Sequence, residues 1–283
     1  MPLLSEQLLA LIARTSVDLP AEVEAALTAA LQRESPDSSA AAALQTMLEN
    51  AALARRNRLP ICQDTGMLQF YVEAAADFPA QAFRTAAEAA VSQATALGLL
   101  RQNCVDTLSG KNTGNNLGPG CPQIHWEENG REHGSRVTLL LKGGGSENMS
   151  RQYSLPDEEL KAGRDLSGVR RCVLDAVWRA QGQGCSPGIL GVAIGGDRCS
   201  GYELSKRQLL RKIGERSPVP ELSALELSLQ SDLNRLGIGP MGFGGRTTVL
   251  EVFVAACCRI PASYFVTVAY MCWCCRRQSM EIV

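Results

Sequence analysis

The chain has 283 residues, 45% hydrophobic and 20% charged, which suits a globular protein with a buried core of its own. Lys+Arg 28 against Asp+Glu 29 leaves a net charge of −1, which gives no reason to expect a basic face for nucleic acid or an anionic membrane. The cysteines number eleven, an odd count. With no signal-peptide pattern and no apolar run near the roughly 18 residues of a membrane span, they are expected as thiols in a reducing cytoplasm.

The first third reads helical. Leu3, Leu4, Leu8, Leu9 and Ile12 recur at helical spacing, a second helix follows Pro20, and Ser38 or Ser39 caps an alanine-rich third running to about Arg56. RLPICQDTG, from Arg58 to Gly66, is then a loop leading into a strand-like MLQFYVEAA. Ala80 to Leu100 reads as an amphipathic helix, and the Asn- and Gly-rich stretch from Arg101 to Gly120 as a long loop, ordered or flexible. Strands are expected over Pro122 to Trp126 and Arg136 to Leu141, the second running into KGGGSENMS. A helix from Leu166 to Gln181 leads to GCSPGILGVAIGGD, a loop and an apolar strand. Two more helices, Ser200 to Ile213 and Pro220 to Leu236, precede a Gly-rich GIGPMGFGGR and the β-rich runs TTVLEVFVAACC and SYFVTVAYMCW. No repeat or linker divides the chain. The expected architecture is one α/β domain over residues 1–283, with mixed β-sheets flanked by helices, a helical region up to about residue 56, and loops unusually rich in Gly, Asn and Cys.

The three Gly-rich turns do not match nucleotide-binding patterns: GKNTGNNLG lacks the GK[ST] ending, and AIGGD follows the wrong element order. They read as tight turns needing positive φ. The cysteines form no CxxC pair and only His125 and His133 accompany them, so spacing alone gives no structural zinc site. Local context says more. PICQDTG puts Cys62 beside an amide and a carboxylate, GCSPG puts Cys185 just before an apolar strand, and MCWCCRRQ puts Cys272 at a strand end ahead of two arginines.

These strings, with KGGGSEN and NTGNNLGPG, are where the chain resembles a known family. It is similar to the α subunit of class I, oxygen-sensitive fumarate hydratases and L-tartrate dehydratases, and to the N-terminal half of the single-chain enzymes. The resemblance runs from Leu53 to Gln278. It implies a [4Fe–4S] cluster held by Cys62, Cys185 and Cys272, with Cys274 and Cys275 as alternatives to the third, and with one iron left open. Thiolates are the soft donors such a cluster takes. It further implies that Gln63 and Asp64 are catalytic groups beside cluster and substrate, that Arg101 clamps a substrate carboxylate, and that Gly144 and Gly145 let backbone N–H groups approach the ligand. Taken singly, Asp64 reads more readily as a turn cap, Arg101 as a solvated helix end, and the glycines as chain geometry; the joint occurrence of the motifs reverses that preference.

The implied activity is reversible hydration of a small dicarboxylate, fumarate to malate, with L-tartrate dehydratase or mesaconase chemistry as alternatives and a non-catalytic iron–sulfur scaffold or sensor as the contrary reading. The resemblance also implies a β subunit in an α₂β₂ assembly, since no β-type catalytic module follows Val283. Two positions depart from the family pattern. Ile260 stands where relatives often have His, and Ser186 where they commonly have Pro.

Overall fold

The structure, a computed structural model, describes residues 2–130 and 132–282. It has eight helices and eight strands among those residues, in the order α1 Pro2–Val17, α2 Ala21–Arg33, α3 Ser39–Asn57, β1 Met67–Ala74, α4 Ala80–Ala96, β2 Gln123–Glu128, β3 Ser135–Lys142, α5 Gly144–Asn148, β4 Arg151–Ser154, α6 Leu166–Ala180, β5 Gly188–Ile194, α7 Arg198–Gln208, α8 Pro220–Asn234, β6 Val249–Ala256, β7 Phe265–Met271 and β8 Arg276–Ile282. The α/β class and the helical start expected from the sequence are both present. The expected long helix after Ala80 stops at Ala96, because Leu97 and Gly98 (φ 73°) close it with a turn.

Contacts group the chain into two compact units, residues 1–20, 49–144 and 274–283 in one, and 21–48 and 145–273 in the other. Each holds one four-stranded mixed sheet. In the first unit the order is β2-β1-β3-β8. β1 pairs parallel with β2 and antiparallel with β3, in a register that sets Phe70 opposite Leu139. A parallel neighbour requires a crossover, and α4 supplies it. Phe70 and Val72 of β1, Val137 and Leu139 of β3, the alanine-rich face of α4 and Leu8, Leu11 and Ile12 of α1 form one apolar cluster. The small side chains of α4 let its backbone lie close to the sheet.

In the second unit the order is β4-β7-β5-β6, with β5 parallel to β6 and antiparallel to β7. Period-2 alternation sends Leu190, Val192 and Ile194 of β5 into a cluster with Val169, Val173 and Val177 of α6 and Leu229 and Leu233 of α8. Asp165 caps α6 by accepting the Gly168 N–H at 2.7 Å, and Asp197 with Ser200 forms a capping box on α7. On its other face β5 lies so close to α7 that a Cβ on Gly191 would sit 2.0 Å from the Ser205 carbonyl oxygen. Gly191→Ala must therefore push α7 off the sheet. The expected effect is a loss of about 2 kcal/mol, read as a fall of roughly 5 °C in the calorimetric unfolding midpoint. An unchanged midpoint would show that this close approach is not needed.

Candidate functional site

The sequence-predicted residues fall into two groups, one in each unit. In the first, the Ile61 N–H donates to the Ser16 carbonyl at 3.1 Å and its own carbonyl accepts from Asn50 Nδ2 at 2.9 Å, which anchors the loop one residue before half-buried Cys62. Gln63 is exposed. Asp64 is held from several sides. Its Oδ1 accepts from the Gly66 N–H at 3.0 Å and from Asn103 Nδ2 at 3.3 Å, and its carbonyl accepts from Arg276 Nη2 at 2.9 Å. Gly66 (φ 78°) brings this turn against KGGG, since a Cβ there would lie 2.6 Å from the Lys142 carbonyl carbon. A Cβ on Gly143 would lie 2.9 Å from Asp64 Oδ2, whereas one on Gly144 would meet that oxygen only at 3.9 Å and one on Gly145 nothing within 4 Å. Packing thus demands glycine at Gly66, and at Gly143 a Cβ would press on the Asp64 carboxylate. At Gly144 and Gly145, both exposed, it leaves room beside the backbone.

Arg101 has an exposed side chain on a fixed backbone. Its N–H donates to Thr65 Oγ1 at 3.1 Å and its carbonyl accepts from Asn116 Nδ2 at 2.7 Å. Asn116 is the organiser of the loop after α4. Only 4% exposed and with φ 60°, it also donates to Thr95 Oγ1 at 2.9 Å and accepts the Asn103 and Cys104 N–H groups at 2.8 and 3.0 Å. The loop is therefore ordered by one side chain that the sequence presents as an ordinary loop residue. Asn116→Ala strands several buried polar groups and leaves a β-carbon in a left-handed conformation. Tryptic cleavage at Arg101 or Lys111 is expected to quicken by about tenfold or more, and unchanged cleavage would refute the organising role.

The second group lies in the other unit. Cys185 is held at φ 54°, a left-handed conformation that a non-glycine residue adopts at a cost of about 1–2 kcal/mol. Two backbone bonds keep it there, Cys185 N–H to the Gly182 carbonyl at 3.0 Å and Trp273 N–H to the Cys185 carbonyl at 3.2 Å. The second of these ties the GCSPG loop to the residue following Cys272. Cys185 and Cys272 are both half-buried. Ser186, where proline was the family expectation, is fully buried, and its hydroxyl donates to the Gly239 carbonyl at 2.6 Å. The departure thus has a structural use.

The other cysteines separate by environment. Burial first, and the nearby Asp157 and Asp175 carboxylates after it, push the Cys172 thiol up to about 12, so it stays protonated at neutral pH. Burial and the neighbouring Cys104 thiol push Cys121 up to about 11. Cys274 and Cys275 are buried in the first unit, and Arg277 Nη1 donates to the Cys275 sulfur at 3.8 Å. Ile260 is 68% exposed on the loop after β6, where the Arg259 guanidinium donates to the Ile260, Pro261 and Ser263 carbonyls. AIGGD is a tight turn, with Gly195 at φ 94° and Gly196 at φ 66°.

Among the described residues no three His, Cys, Asp or Glu side chains are already gathered as a metal site. The fit to an iron–sulfur cluster rests on two other observations. Cys185 and Cys272 stand together in the second unit as two soft donors, and both act electrostatically on the buried phenol of Tyr270. The Tyr270 hydroxyl has no hydrogen-bond partner there, as an acceptor bound at the two thiols would provide. The donor set present therefore suits the group.

The chain is thus α/β, with a constrained Asp–Asn–Arg loop on one unit and two half-buried cysteines on the other. The chain belongs to the fumarate hydratase (Fumerase) family, whose sequence profile matches residues 5–281. It is 47% identical over 282 residues to a Geobacillus stearothermophilus protein named "Putative fumarate hydratase class I", covering 99% of this chain and 55% of that one. It is 33% identical over 283 residues to the Methanocaldococcus jannaschii "Putative L(+)-tartrate dehydratase subunit alpha", covering 97% of that chain. The L(+)-tartrate dehydratase subunit alpha of Escherichia coli K12 is 32% identical over 238 residues, covering 84% of this chain and 77% of that one. The chain thus spans about half the length of the first of these relatives and most of the other two. No helix among the described residues is long and apolar enough to cross a membrane.

Proposed function

We propose that the chain is the cluster-bearing α part of a [4Fe–4S] hydro-lyase that interconverts fumarate and malate in a reducing cytoplasm, acting with a β subunit as α₂β₂. The observation that carries this is the 47% identity over 99% of the chain to the fumarate-hydratase-named relative, against 33% and 32% for the tartrate-named ones. The near-complete match to an α subunit supports the two-subunit arrangement.

In this proposal Cys62, Cys185 and Cys272 are the three ligands. Cys272 is preferred over Cys274 and Cys275 because its loop is bonded to that of Cys185 and it is less buried than they are. A cluster held by three thiolates supplies a Lewis-acidic iron that eases loss of the substrate hydroxyl. The chain's own residues do the rest. Arg101 holds a substrate carboxylate with its fork, a role suited to an exposed guanidinium on a fixed backbone. Gly144 and Gly145, exposed and with room beside them, would let backbone N–H groups approach the ligand. Asp64 and Gln63 act at the reacting carbons, with Asn103 and Gly66 fixing the Asp64 carboxylate by the hydrogen bonds described.

Anaerobic co-expression with the β partner, followed by iron and sulfide analysis and assays with fumarate, mesaconate and L-tartrate, tests the reading. Turnover of fumarate above the others supports it. Preference for L-tartrate selects the alternative that the two α-subunit relatives favour, and a loaded complex inert toward all three selects the scaffold reading, for which exposed Ile260 in place of the family His is the motive.

A further inference from the structure

The GCSPG segment does more than present a cysteine: it wraps Tyr270. A Cβ on Gly184 would lie 2.4 Å from Tyr270 Cε1, and one on Gly188 would lie 2.7 Å from the Tyr270 hydroxyl. Both glycines of the segment are therefore required to admit the ring, and Cys185 sits between them. On the strand side, Tyr270 lies opposite Leu190 in the β5–β7 register, two residues before Cys272. The ring is 1% exposed and its hydroxyl has no hydrogen-bond partner.

A buried hydroxyl with nothing to donate to is destabilising. Phenylalanine would fill the same slot without that penalty. The hydroxyl thus has a use that arises only when an acceptor is bound beside the two thiols. We infer that Tyr270 donates its hydroxyl hydrogen to a sulfur of the iron–sulfur group held by Cys185 and Cys272, and so sets that group's potential and retention. This rests on the proposed cluster reading. Tyr270 is a positioning and tuning residue that acts through the iron–sulfur group. A hydrogen bond to a cluster sulfur removes electron density from it, which favours the reduced form and raises the potential.

The test is Tyr270→Phe in the complex loaded anaerobically, beside the wild type and the unloaded chain of each. Iron and sulfide per chain are expected to equal the wild type. The reduction midpoint, followed by EPR, should move to a more negative value, and chelator-driven loss of iron should run about fivefold faster. The unloaded variant should melt at or above the wild-type temperature, because it has lost only an unsatisfied donor. A variant with unchanged midpoint and unchanged iron loss overturns the tyrosine's role while leaving the cluster reading intact. So does one that is equally destabilised with and without iron, which marks the hydroxyl as structural only. A wild-type complex that takes up no iron or sulfide overturns both.

Discussion

Replacing Cys185 by glycine is expected to uncouple the fold from the site. Glycine takes the left-handed backbone without penalty, so the unloaded chain should gain about 1 kcal/mol of stability, while the loaded complex should lose its iron and lower kcat/KM by about 10³-fold. Cysteine held at φ 54° is otherwise a poor residue for that turn, and a thiol required at the position explains it. Cys185→Ser separates donor softness from size: a serine oxygen is a hard donor, and iron content should fall with the glycine variant's rather than recover. The same measurement on Cys62→Ser, Cys272→Ser, Cys274→Ser and Cys275→Ser assigns the third ligand. Loss of iron in the first two with retention in the last two is the expected pattern. Retention in Cys185→Gly would remove Cys185 from the proposed ligand set.

Replacing Arg101 by lysine should be nearly as damaging to turnover and harmless to the fold. The side chain is exposed, and its backbone is fixed through Thr65 and Asn116, so nothing in the core depends on the guanidinium. A lysine keeps the charge but loses the planar pair of donors that matches a carboxylate. The expected result is kcat/KM lower by about 10²-fold, carried mainly by KM if the contact is equal in ground and transition states, with an unchanged melting temperature. An unaltered KM and kcat would assign the clamp to another residue.

Much of the proposed site is carried by local signals in the sequence. PICQDTG, KGGGSEN and GCSPG are each a few consecutive residues whose types suit a tight turn, a backbone approach or a ligand, and they are found where the chain leaves or enters a strand. The regular helices and the apolar strands were equally readable from their period. What escaped notice depends on distant partners. RRQSMEI is assigned no element from its sequence, yet it is β8, and Arg276 and Arg277 are 1% and 5% exposed, with Arg276 bonded to the Asp64 carbonyl. Asn116 and Asn103 are two polar residues in a polar stretch, and only tertiary geometry shows that they hold Arg101 and Asp64. Tyr270 reads as one more apolar strand residue. The roles of Gly143 and Gly66 could have been suspected from the run of glycines but not separated from those of Gly144 and Gly145. The two units themselves leave no mark in composition, because each is assembled from separate stretches of chain.

That interleaving has a consequence for biosynthesis. The sheet of the first unit acquires its last strand only when residues 276–282 pair with β3, matching Ser135 to Ile282 and Leu141 to Arg276. Until the ribosome has moved past Ile282, β3 has an unpaired edge, even though the helices that cover it were made long before. Such an edge is a template for misassociation, and closing a loop of this span is slow. The nascent chain is therefore exposed to aggregation through about the second half of its translation, and holdase chaperones that shield strand edges should raise its soluble yield more than slower elongation would.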